Sequence, residues 1–110
     1  MPQKPFPPPY DILTELLVEC RRSAEVSQEE LAERLSIGQS AVSKVERGVQ
    51  RLDIMELHRW LAAIGGPTFI EFTRTLDDRL RAQTAAETRW RRAKRGKRPE
   101  ARRPRRAKRG

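Results

Sequence analysis

The residues of this 110-residue chain best equipped for chemistry stand close together, in the stretch SIGQSAVSKVERG from Ser36 to Gly48. Gln39, Ser40, Ser43, Lys44 and Arg47 supply amide, hydroxyl, ammonium and guanidinium groups. At ~100° per residue of an α-helix these five fall within one arc of about 140°, while Ala41, Val42 and Val45 point the other way. Such a face carries the donors and acceptors that match base edges and phosphates in a DNA major groove. A helix face that merely meets solvent is usually populated by Glu–Lys pairs, and this one has none. The pattern points to a contact surface.

Enzymatic chemistry finds little to work with. His58 is the only histidine and adjoins Arg59 in a helical stretch, with no cysteine or carboxylate cluster at ligand spacing. Cys20 is the only cysteine, so neither an internal disulfide nor a thiolate metal cluster can form within the chain. Gly65-Gly66 reads as a helix terminator, not as a phosphate loop. No catalytic residue, metal site or cofactor is expected. Prolines in MPQKPFPPPY occupy the place where a signal peptide needs an apolar stretch, and no run approaches the ~20 apolar residues of a membrane span. The expectation is a cytoplasmic, nucleoid-associated chain with no membrane partner.

The elements that must hold the polar face follow from periodicity and capping. Residues 1 to 10 read as an extended proline-rich leader. A first helix is expected from Asp11 to Arg22, burying Ile12, Leu13, Leu16, Leu17 and Cys20. Ser27 and Glu30 have the spacing of a capping box, so a second helix starts at about Gln28 and ends near Ser36. The third runs from Gln39 to Arg47 and stops at Gly48. Asp53 and Glu56 repeat the capping signature before a fourth helix, which buries Leu57, Trp60, Leu61 and Ile64 and closes at Gly65-Gly66. Pro67 suits the first turn of a fifth helix that buries Phe69, Ile70, Phe72, Leu76 and Leu80 and runs on toward Trp90. RRAKRG then occurs twice, at Arg91 and Arg105, in a segment of low complexity. The fold class is all-α: a five-helix domain over 11–81, followed at 82–110 by a polybasic tail that is disordered or partly helical.

The net charge of +9 is unevenly divided: residues 1–81 hold 11 Lys or Arg against 13 Asp or Glu, whereas 82–110 hold 13 against 2. A near-neutral domain with a basic tail suggests a polyanionic partner.

The short second and third helices, joined by a tight break, have the organisation of a helix-turn-helix. VSQEELAERLSIGQSAVSKVERG resembles the helix-turn-helix of the phage-repressor and Cro (Xre-type) regulators, and the likeness extends over residues 11–72 through LDIMELHRWLAAIG. The resemblance implies a repressor-like domain with its third helix in the major groove of double-stranded DNA. It implies that Gln28 contacts a phosphate and braces Gln39, which reads an adenine or its neighbour. Ser40, Ser43 and Lys44 occupy the other base-reading positions, and Arg47, Gln50 and Arg51 grip phosphates. It also implies that Arg21 pairs with Glu46. Two positions depart from the family: Ser36 stands where Gly is usual, requiring an unusual backbone angle or a different helix end, and Gly38 replaces the usual Ser or Thr cap. The expected function is a transcriptional regulator that represses by occupying an operator. Two alternatives stay open: an antitoxin that binds a toxin protein through helix 5 and the tail, and a non-specific nucleic-acid binder acting through the tail. A homodimer also stays open.

Overall fold

A computed structural model of the chain describes residues 6–95. Five helices follow one another: α1 (Pro9–Ser23), α2 (Gln28–Leu35), α3 (Gln39–Glu46), α4 (Ile54–Ile64) and α5 (Phe69–Arg95). No strand occurs among the described residues. The chain divides into two units, one ending at Leu80 and the other starting at Arg81.

In the first unit, Leu17, Leu31, Val42, Ile64 and Phe72 are the largest fully buried side chains, one from each helix. Leu16, Leu35, Val45, Trp60 and Leu61 belong to the same cluster. Helices of eight residues, such as α2 and α3, are too short to be stable alone, so this shared core and their ends must hold them. The ends are well made. Ser27 Oγ accepts the Glu30 amide at 3.0 Å and Glu30 answers to the Ser27 amide at 3.3 Å. Asp53 and Glu56 repeat the exchange at the start of α4, at 2.7 and 2.9 Å. Arg34 donates to the Ala63 carbonyl at 2.8 Å, satisfying one acceptor in the last turn of α4. On the outside, Arg79 grips Glu19 with two bonds of 2.9 and 3.0 Å, and that guanidinium holds the Glu19 carboxyl below the usual carboxylate range.

The turn between α2 and α3 resolves the first departure from the family pattern. Ser36 adopts the left-handed conformation, φ 59° and ψ 43°. Its amide donates to Glu33 at 3.1 Å and the Ile37 amide to Ala32 at 3.0 Å, the paired bonds of a Schellman turn. Gly38 caps α3 in extended geometry without a side-chain bond.

Three expectations need correction. Pro9 and Tyr10 belong to α1 and not to an extended leader: proline at the first helical position loses no bond, and the Asp11 amide donates to Pro8 at 3.0 Å. Pro67 lies before the fifth helix, because Thr68 and Glu71 form a further reciprocal cap at 2.9 and 3.1 Å. Ile70 is 66% exposed. At 100° per residue it projects about 160° away from the buried Phe72, so the helix cannot bury both. Phe69 is half-buried and its ring lies 5.4 Å from that of His58, which is itself exposed. In the second unit Lys94 sits 5.0 Å above the Trp90 ring, and residues 96–110 of the expected tail lie outside the described residues.

An L-residue in the left-handed region is strained by about 1–2 kcal/mol, partly offset in glycine by greater freedom of the unfolded chain. Ser36→Gly should therefore raise stability by about 0.5–1 kcal/mol in urea unfolding, and Ser36→Val should lower it. A Ser36→Gly protein no more stable than the parent would show that the turn carries no strain.

Candidate nucleic-acid interface

The third helix contains a single carboxylate, Glu46, and the fold turns it inward. Arg21 of α1 meets it with two prongs, Nε to Oε2 at 2.6 Å and Nη2 to Oε1 at 3.0 Å, while Nη1 donates to the Val26 carbonyl at 2.8 Å. Both side chains are over nine-tenths buried, with exposures of 9% and 6%. The outer face of α3 is thereby cleared of negative charge. Ser40, Lys44 and Arg47 are exposed on it, and Ser43 is half-buried.

The pair also organises what lies outside it. Gln28, the first residue of α2, donates Nε2 to Glu46 Oε1 at 2.8 Å. A carboxylate can only accept, so this bond fixes which way the Gln28 amide points and turns its oxygen outward. That oxygen accepts a long bond, 3.5 Å, from Gln39 Nε2. Gln39 then retains its own oxygen and a second N–H, an adjacent acceptor and donor. This is the arrangement that pairs with the N6 and N7 edge of adenine. Arg47, the C-cap of α3, donates Nε to Ser43 Oγ at 3.2 Å, which lays the guanidinium along α3 and leaves its terminal nitrogens to other partners.

Gln50 and Arg51 are exposed on the loop after α3. The Val49 and Gln50 amides both donate to the Lys44 carbonyl, at 2.9 and 3.2 Å, and Gly48 takes φ 78° to let the chain turn. One neighbour of this loop has no local sequence signal. Tyr10 lies against this loop, with Arg51 over its ring and its hydroxyl on the Leu52 amide. Nothing local could have revealed it, since the contact spans 42 residues.

Among the described residues no cluster of His, Cys, Asp or Glu could hold a metal ion, and no helix is long and apolar enough to cross a membrane. Cys20 is half-buried, and desolvation pushes its thiol pKa up, away from the reactive thiolate.

A helix-turn-helix family model matches residues 17–69, which hold the whole of α2, α3 and α4. A solved XRE-family like protein from Pseudomonas syringae pv. tomato str. DC3000 is 37% identical, the match covering 64% of this chain and 84% of that one with a TM-score of 0.60. The chain belongs to the XRE family. No curated protein matches it. As a member of the XRE family it is a DNA-binding transcriptional regulator, and α2 with α3 is its helix-turn-helix.

Removing one member of a buried pair strands the other charge, at a cost of about 3–5 kcal/mol. Arg21→Ala should lose about that much stability in urea unfolding; an unchanged midpoint would show that the pair carries no weight. The apolar double variant R21M/E46L should recover most of the loss. It should still bind DNA poorly, because Gln28 then has no acceptor to orient it.

Proposed function

We propose that this XRE-family protein is a sequence-specific repressor that occupies its operator by laying α3 in the major groove. The observation that carries the reading is the bonded series from Arg21 through Glu46 and Gln28 to Gln39, which presents an oriented amide from a face without carboxylates. Gln39, Ser40, Ser43 and Lys44 are assigned to base edges. Gln28, Arg47, Gln50 and Arg51 are assigned to phosphates. The polybasic segment from residue 82 supplies sequence-independent attraction, since residues 1–81 carry more acidic than basic groups.

Selection of bound sites from random duplex DNA tests this directly. A palindrome with half-sites about one helical turn, ~34 Å, apart would indicate a homodimer, and a single half-site a monomer. On the recovered site Gln39→Ala should cost about 1–3 kcal/mol of affinity, and on random duplex almost nothing. Equal losses on both would remove Gln39 from the base-reading set.

The tail has its own signature. If about six of its basic groups engage duplex, they contribute about −5 to the slope of log affinity against log salt. Deleting residues 91–110 should flatten that slope while the ratio of specific to random binding persists. Retention of the full slope would dissociate the tail from DNA and assign it to a protein partner.

The antitoxin reading draws support from a different surface. Ile70, near the start of α5, is 66% exposed, an apolar side chain that phosphate contact does not require. Co-purification of a stoichiometric second protein that is released by Ile70→Glu would favour it.

A further inference from the structure

Tyr10 lies outside the residues matched by the family model, which begin at Leu17, and outside the roles assigned above. Its hydroxyl accepts the Leu52 backbone N–H at 3.0 Å. The Arg51 guanidinium carbon stands 4.5 Å from its ring centroid. From these two contacts we propose that Tyr10 is a positioning residue for DNA binding, holding Arg51 with its N–H edge available to a backbone phosphate. The inference rests on the assignment of Arg51 to phosphate.

An exposed arginine on a loop loses rotamer and backbone freedom when it meets a phosphate, and that loss is subtracted from the affinity. Stacking removes part of it in advance. With its central carbon over the ring, the guanidinium is held without a hydrogen bond, which leaves its N–H groups for a two-pronged phosphate contact. The hydroxyl fixes the backbone one residue further on. Tyr10 is itself fixed, because it sits in the first turn of α1 behind Pro9, whose ring sets the backbone angle.

The loop needs such a hold between its ends. On the α3 side the Lys44 carbonyl takes the Val49 and Gln50 amides. On the α4 side Asp53 caps the helix through the Glu56 amide at 2.7 Å. Arg51 and Leu52 lie between these anchors, and Tyr10 reaches both from a third helix. Half-buried itself, it lines with Leu13, Leu57 and Leu76 a groove of about 420 Å³.

The test uses the full-length chain and a random-sequence duplex of about 20 bp, titrated between about 50 and 200 mM salt. Arg51→Ala should lower the magnitude of the salt slope by about 0.9, one phosphate contact. Tyr10→Leu should weaken binding about three- to tenfold and reduce the slope in the same direction. The double variant Y10L/R51A should bind no more weakly than Arg51→Ala alone, because the ring acts only through the arginine. Tyr10→Phe keeps the ring and should restore most of the loss. A ring supporting only the scaffold would give additive losses and an unaltered slope, which overturns the proposal. Tighter binding by Tyr10→Leu would mean that the ring withholds Arg51 and would overturn it too. An Arg51→Ala protein with the parental slope would sink the phosphate assignment and this inference with it, whereas additive losses would leave that assignment standing. Should Tyr10→Leu melt below the assay temperature, the free wild-type protein still decides: Arg51 side-chain protons should resonate upfield through the ring current, and random-coil shifts would overturn the stack.

Discussion

The bond between Arg21 and Glu46 joins three helices in one place. Arg21 belongs to α1, Glu46 ends α3, the Val26 carbonyl lies in the turn before α2, and Gln28 opens α2. Hydrophobic packing can place these helices near one another, but it has no direction and tolerates sliding. The three bonds on Glu46 have fixed lengths and angles, so they set the rotation of α3 about its own axis. A buried ion pair is a poor source of stability, because desolvation cancels most of the attraction. Two apolar residues would fill the same volume. What they could not do is leave a carboxylate oxygen to orient the Gln28 amide, and through it Gln39. The pair is explained by what it presents, and the cost of burying it is met by the surrounding core.

The same economy governs the turn that leads into α3. A Schellman turn needs a left-handed residue, and Ser36 takes that conformation without glycine's freedom. Gly38, where a side-chain cap is usual, leaves the first amides of α3 without a side-chain partner. Amides exposed at a helix N-terminus carry partial positive charge and suit a phosphate. On the proposed reading the missing cap costs little in the free protein and leaves that end of α3 open to the DNA backbone.

Local rules made much of this legible from sequence. Ser27 with Glu30 and Asp53 with Glu56 are capping pairs three residues apart, and the structure places both helix starts where that spacing implies. Thr68 with Glu71 has the same spacing but was obscured by Pro67, whose preference for a first helical turn gave a competing signal. FIEF places three apolar residues in four, too dense to reveal the phase of a helix, so only packing could distinguish buried Phe72 from exposed Ile70. Tyr10 was hidden by composition, since a run of prolines resembles an extended leader until its last member becomes the first residue of a helix. The Arg21–Glu46 bond spans 25 residues, and no periodicity reaches that far. Only the family resemblance suggested it.

Charge then separates two tasks within the chain. Lys44, Arg47 and Arg51 are exposed on or just beyond α3, while Glu25, Glu29, Glu30 and Glu33 are exposed on or just before α2. Seen from afar these nearly cancel, and at physiological salt the field of exposed charges fades within about 8 Å. The domain alone would therefore feel DNA only when α3 already faces it closely. That serves discrimination, because little affinity is available to a wrongly oriented or wrongly placed domain. It serves encounter badly. On the proposed reading the basic residues after Arg81 would supply the long-range attraction that the domain lacks, and since phosphates repeat along every duplex, they would do so without favouring any sequence. A basic α3 surface strong enough to perform both tasks would bind random DNA almost as well as the operator. On the same reading, a recognition domain near neutral would preserve the contribution of a single oriented amide.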